Sequence, residues 1–488
     1  MEAPPNTPPA RHTQPLYARI ARHYRGAIQS GALSAGAAMP SVRALKRLHQ
    51  VSLSTALQAC RSLEDEGLLE ARPRSGYFVL TPRRALIAPL GEPDLKRGLG
   101  AAQYVGIHDR VSHYVAMSER HPARVDFAAT YAAPEHYPGS DLKNAAVRAL
   151  RRDPGLLVRP VASKGEAPLR AAIARRALDA GMRLPPDDIV VTHGCIEALN
   201  VALRAVAQPG DTIAVESPTY YGLLQVLESL GLRALEIPTS PSTGLAVDAL
   251  AFALQTQPGI KAVVVVPNLQ NPLSCVMPDA QKARLVALCA LHPLALIEDD
   301  TYSALGSDDT PLKALKHWDD CGNRIHCASL RKTLAPGMRL GWMTGGRWQA
   351  RIEMLKYAQS RANEALSQIA MAEFMASSAH DRHLVRLRRL LKRQREQTAE
   401  AIATHFPEGT RLSVPEGSML LWVELPERRS AQGVFDAALA QGIRIAPGSL
   451  FSNSNRFDHF MRISCGTPFT READQALKQL ASIVRAAG

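Results

Sequence analysis

Three short apolar runs constrain the fold more than any other feature of this chain. Val263–Val266, Leu294–Ile297 and Ile325–Leu330 each break off into polar residues, and helical patterns separate them. Runs of this kind read as buried parallel strands whose C-terminal ends present side chains to one site. The alternation extends from Asp188 to Trp342 and fits a mostly parallel sheet wrapped by helices.

The third run leads into Lys332, which stands in sequence between Arg331 and Arg339. Like charges nearby disfavour the ammonium form of a lysine. A neutral amine condenses with aldehydes, of which pyridoxal phosphate is the common one held this way. On its own the stretch fits either a solvated basic loop or such an amine, and its neighbours separate the two.

Ser329-x-x-Lys332, with Arg339 seven residues on, resembles the cofactor-lysine motif of fold-type I pyridoxal-phosphate aminotransferases. Further motifs of that family follow in order. Asp299-Asp300-Thr301-Tyr302 resembles its Asp-x-x-Tyr, which implies that Asp299 pairs with the pyridinium nitrogen and Tyr302 donates to the ring 3′-oxygen. Asn271-Pro272 resembles the turn whose Asn binds the same oxygen, although Ser274 stands where the family usually has Gly. Thr192–Leu199 is a strand-to-helix junction with Gly194 at the bend, and unpaired amides at a helix start suit phosphate. The resemblance implies that the amides of Cys195 and Ile196, with Ser329 and Arg339, hold the cofactor phosphate. It also places Tyr220 on the ring face and Arg462 on a substrate or effector carboxylate, where a planar fork gives two parallel bonds. Pro160 replaces a Tyr that commonly reaches the partner subunit's cofactor phosphate.

At 488 residues the chain suggests about three domains. Its net charge of +13 raises the expectation of an anionic partner. No apolar run reaches the length of a membrane span, and residues 1–13 read as a disordered tail rather than a signal peptide. Seven scattered cysteines without Cys-x-x-Cys pairs imply reduced thiols in a cytoplasm and no metal site.

Residues 14–80 read as three helices and a hairpin. Leu16, Ile20, Tyr24 and Ile28 form one stripe; Ser41 caps a second helix with Val42, Leu45 and Leu48 inward. Ser52 caps a third helix with Ala56, Leu57, Cys60 and Leu63 inward, and a hairpin turns around Pro73–Gly76. This order is a winged helix-turn-helix, whose third helix enters the major groove. Residues 1–80 hold ten Lys/Arg against five Asp/Glu, a surplus suited to phosphates. Met39-Pro40-Ser41-Val42-Arg43-x-Leu45, Glu66-Gly67-Leu68 and Ser75-Gly76-Tyr77-Phe78-Val79 resemble the GntR regulators. By that resemblance Arg43, Ser52, Ser54, Thr55, Arg74 and Gly76 contact DNA, while Leu53 replaces an Arg the family often has after the cap Ser.

Residues 81–125 read as a linker with a short helix near His113–Arg120, able to dock on one of the domains it joins. The aminotransferase-like part spans 126–488: a large α/β part at about 175–345 and a smaller α+β part at about 346–488 plus the N-terminal segment. The basic run Arg382–Arg395 reads as a solvated face rather than a second nucleic-acid surface. A GntR-type head joined to a fold-type I body is the plan of the MocR subfamily. It implies a cytoplasmic, homodimeric regulator that binds operator DNA and senses an amino compound, or pyridoxal phosphate itself, through the imine on Lys332. The alternative is an active aminotransferase retaining a DNA-binding head.

Overall fold

The computed structural model describes residues 15–29, 32–34, 36–65, 68–72, 75–80, 87–95, 98–306, 311–319 and 321–487. The expected tail and Arg74 lie outside the described residues. The chain divides into two compact units between Arg84 and Ala85.

In the first unit, helices Leu16–Gln29, Val42–His49 and Leu53–Asp65 precede an antiparallel hairpin of Leu69–Arg72 with Gly76–Val79. Ile20, Tyr24, Leu45, Ala56, Cys60 and Leu63 share one core with Leu69 and Val79 of the hairpin. Ser41 accepts the amide of Ala44, and Gln50 closes that helix in the left-handed region at φ 50°. Leu48, expected inward, is 67% exposed. It follows Leu45 by three residues on an eight-residue helix that ends one residue later, and nothing among the described residues buries it.

The second unit is built on a nine-stranded sheet. Arg233–Ser240, Thr212–Ser217, Ile260–Val265, Ala295–Asp300 and Arg324–Ser329 run parallel in that order, and Gly341–Thr344 runs antiparallel between Arg324–Ser329 and Val190–Thr192. All three apolar runs lie in the middle of this sheet, where Val263, Val264, Ile297 and Ile325 are at most 1% accessible. A second, antiparallel sheet of Arg411–Leu412, Leu420–Glu424, Phe460–Ser464 and Ala446–Pro447 packs with helices Ala431–Leu439 and Arg471–Ala486 into a separate core.

Most of the stretch read as a linker belongs to this body. Gln103–Tyr104 adds a strand to the sheet edge, Ile107 is fully buried, and the helix runs over His108–Arg120 rather than beginning near His113. The amides of Ile107 and His108 bond to Glu228 Oε2 at 2.6 and 2.8 Å. The pattern was obscured because the Pro- and Gly-rich segment before it carries no periodicity. Within the basic run, Arg382, Arg386, Arg389 and Arg393 are exposed as expected. Arg395 is not: it is buried and donates to the carbonyls of Ser418 and Glu416, each at 2.7 Å.

Candidate cofactor site

The parallel strands end on one side at a cavity of about 400 Å³. Asn271, Asp299, Tyr302, Ser329 and Lys332 from the strand ends line it, as do Cys195, Ile196 and Tyr220. Five segments far apart in sequence therefore converge as the motifs required.

Lys332 donates from Nζ to the carbonyl of Thr130 at 3.0 Å and to its hydroxyl at 2.7 Å. The ammonium lies 3.9 Å from the ring centroid of Tyr131. Its pKa is pushed down to about 7, chiefly by burial and then by Arg331 and Arg462. Charge crowding thus acts, as the sequence suggested, but burial leads, and the second arginine is Arg462 rather than Arg339.

Asp299 is buried among neutral donors. Its Oδ1 accepts from the Thr301 amide at 3.0 Å, the Thr301 hydroxyl at 2.6 Å and Cys195 Sγ at 3.2 Å. Burial raises its pKa. Burial likewise raises the phenols of Tyr302 and Tyr220, keeping both as hydrogen-bond donors at neutral pH. Asn271 Oδ1 accepts from Arg462 at 3.0 Å, and a second Arg462 nitrogen donates to the Ala128 carbonyl at 2.9 Å. Arg462 is 1% exposed, with a buried Nε that has no partner. It bonds directly to Asn271 and Ala128, both of which line the cavity.

Gly194, at φ 85°, caps the helix Cys195–Val206, a conformation L side chains rarely adopt. Arg339 is exposed, sits at φ 52° and is not among the lining residues. Sequence reasoning also missed Tyr114, Thr130, Tyr131 and Arg444, which line the cavity. They come from stretches without periodicity or from positions with no motif around them; Arg444 is held by Asp126, with its Nε 3.0 Å from Oδ1.

In the head, Arg43, Ser52, Ser54 and Gly76 are exposed and Thr55 is half-buried. Ser52 Oγ accepts the Thr55 amide at 3.1 Å and bonds the hydroxyls of Ser54 and Thr55, both at 2.8 Å. Gly76 takes φ 95° at the hairpin.

Residues 16–79 match the gntR family of bacterial regulatory proteins, and residues 136–480 match aminotransferase class I and II. An uncharacterized HTH-type transcriptional regulator, YjiR of Escherichia coli, is 35% identical over 96% of this chain and 98% of its own length. The probable rhizopine catabolism regulatory protein MocR of Rhizobium meliloti is 25% identical over 89% of this chain and 86% of its own. This chain belongs to the MocR-type GntR regulators. The multiple substrate aminotransferase of Thermococcus profundus superposes on the body with a TM-score of 0.71, at 26% identity over 77% of this chain and 94% of that one. The MocR-type chain is therefore a GntR-type DNA-binding regulator with a fold-type I, pyridoxal-phosphate aminotransferase-like body. Its cavity fits that cofactor: a buried amine of low basicity for the aldehyde, a buried carboxylate for a protonated ring nitrogen, and a helix start for the phosphate. No helix among the described residues is long and apolar enough to cross a membrane.

Proposed function

We propose that this regulator senses an amino compound, or pyridoxal phosphate itself, at Lys332, and that two heads of a homodimer read paired operator half-sites. The observation that carries the reading is Lys332 itself, which lines one cavity with Asp299, Tyr302 and Asn271 and has its pKa lowered by burial to about 7. An amine of that basicity is substantially unprotonated near neutrality and ready to bond an aldehyde. The cofactor, when bound, supplies that aldehyde and thereby a covalent trap for a primary amine.

The remaining residues orient and select. With the cofactor bound, Asp299 would hold negative charge toward the ring nitrogen, Tyr302 and Asn271 would bond the ring hydroxyl, and Tyr220 would cover a ring face. The cations at the cavity favour an effector with a carboxylate, and Arg462 is the arginine proposed to receive it. Effector binding would act through the Lys332 contacts to Thr130, and differential affinity for two arrangements would set the coupling to DNA, typically about 1–3 kcal/mol. Arg43, Ser52, Ser54, Thr55, Arg74 and Gly76 are the proposed DNA contacts.

The same residues suit transamination, and similarity to aminotransferases favours that as the second reading. Amino acids screened by absorption spectrum, then assayed for operator binding and keto-acid release, separate the two. A sensor changes spectrum and operator affinity over one concentration range, with little keto acid. Rapid multiple turnover without any effect on operator binding would establish the enzyme instead.

A further inference from the structure

The turn that carries Lys332 has a second face. A cavity of about 190 Å³ lies there, walled by Leu330 and Leu334 of the turn with Trp342, Met375, Ala177 and Met182. Each of these side chains belongs to a residue at most 9% exposed. The space is distinct from the cofactor cavity, yet Thr301 and Ser329 line both. An apolar cavity of about 150 Å³ is enough to hold benzene, so this one admits an aromatic ring.

Its polar end is Asp300, which is 9% exposed. Oδ2 accepts the Ser303 hydroxyl at 2.9 Å, and Oδ1 accepts a long bond of 3.4 Å from Asn268. A carboxylate has room for about four such bonds. The neighbouring cations are committed elsewhere. Arg176 donates to the Met375 carbonyl at 2.8 Å and to Asp381 at 2.6 Å, and Arg388 donates to the Ala304 carbonyl at 2.8 Å. Lys282 donates to Asn268 Oδ1 at 2.6 Å and to the Lys313 carbonyl at 2.9 Å. His326 Nε2 lies 3.8 Å from Asp300 Oδ2, beyond hydrogen-bond length, and is buried without a partner. The exposed Asp179 adds a second carboxylate to the lining. A buried carboxylate that opens on an apolar cavity is costly until a cation meets it.

We propose that this cavity is an effector site for a small aromatic cation, with its ring among Trp342, Leu334 and Met375 and its charged nitrogens on Asp300. The cation acts on the cofactor site through the wall that the two cavities share. Thr301 donates to Asp299 at 2.6 Å, and Ser329 and Thr333 belong to the turn of Lys332. Binding of the cation requires no cofactor chemistry, so the site stands whether the body is a sensor or an enzyme.

Benzamidine is the probe, a flat ring with a charged nitrogen fork that is not a primary amine and leaves the Lys332 imine alone. Calorimetry on the full chain, with and without pyridoxal phosphate, reads its affinity. Benzamidine should bind with a Kd below about 1 mM, and benzoate, the same ring with the opposite charge, at least about tenfold more weakly. Asp300→Asn should weaken benzamidine roughly 10- to 100-fold. Ala177→Met fills the apolar side of the cavity and touches neither Asp300 nor the cofactor wall. It should abolish benzamidine binding, leave pyridoxal phosphate uptake unchanged, and cover a folding failure of the Asp300 variant. Pyridoxal phosphate should change the benzamidine affinity, and benzamidine that of pyridoxal phosphate, by one common factor of about 5 or more. Benzoate binding as tightly as benzamidine, or benzamidine binding undiminished by Ala177→Met, overturns the site. Benzamidine affinity identical with and without cofactor overturns its role as an effector site.

Discussion

Cys195 Sγ donates to Asp299 Oδ1 across 3.2 Å, so one residue joins the two ends of the cofactor site. Its backbone opens the helix proposed to hold the phosphate, while its thiol bonds the carboxylate proposed to face the ring nitrogen. Burial, and the charge of Asp299, raise the Cys195 pKa well above that of a free thiol.

A thiol so placed stays protonated and unreactive, because the thiolate is the nucleophile. Six of the seven cysteines are buried and Cys321 alone is exposed. Mild alkylation of native protein at about pH 8 should therefore label Cys321 first, and Cys321→Ser should remove the fast phase. Peptide mass spectrometry reads the site. Rapid labelling of Cys195 in native protein would contradict the arrangement at Asp299.

Lys332 should set the pH dependence of cofactor uptake. Its pKa is lowered, so the neutral, bond-forming amine becomes the major species above about pH 7. The second-order rate constant for pyridoxal phosphate uptake, which reports on the free protein, should rise as pH increases through that value and then level off. Lys332→Ala should abolish the borohydride-trappable bond at every pH. An inflection near the ordinary lysine value of about 10.4 would show that burial does not act on this amine as described.

The strand ends and the head were legible because each rests on a strong local signal. Apolar runs broke off at Asp299 and Lys332, and cap serines at 41 and 52 opened helices that do begin there. Position on a face was harder where context decides, as Leu48 and Arg395 show. Ser274 illustrates a different limit. The resemblance expects Gly there, and the residue does adopt φ 57°, the left-handed region that favours glycine. Ser is held in it with its hydroxyl bonded to the buried Leu420 carbonyl at 3.0 Å, a tertiary contact invisible from the motif. Thr130 and Tyr131 were missed because their contact with Lys332 spans some two hundred positions with no local pattern at either end.

In the head, the hydroxyl of Ser52 ties Ser54 and Thr55 together at the start of the third helix. Ser52→Ala should cost that unit about 1 kcal/mol through the lost cap. Arg43→Ala should instead leave stability nearly unchanged, since the side chain is exposed, and weaken operator binding with a salt slope shallower by about one. Anisotropy titrations at several salt concentrations, with a melt of each variant, separate the two effects. An unchanged slope in Arg43→Ala would remove that residue from the phosphate contacts.

Truncation tests where the body begins. A fragment starting at residue 126 has the full length that the motifs imply, yet it lacks the sheet-edge strand Gln103–Tyr104 and the helix His108–Arg120. It would uncover the core around Val105, Ile107 and Val111, each at most 7% exposed in the whole chain. Losing three such side chains forfeits roughly 1.5–3 kcal/mol apiece, against a typical total of about 5–15 kcal/mol for a folded domain. It would also remove Tyr114, which lines the cavity and packs 5.1 Å from Phe435. A fragment of residues 87–488 should therefore fold and bind pyridoxal phosphate with the affinity of the full chain. The fragment 126–488 should melt at clearly lower temperature or aggregate, and retain the cofactor poorly. Equal melting and equal cofactor affinity in the two fragments would return residues 87–125 to the role of a linker.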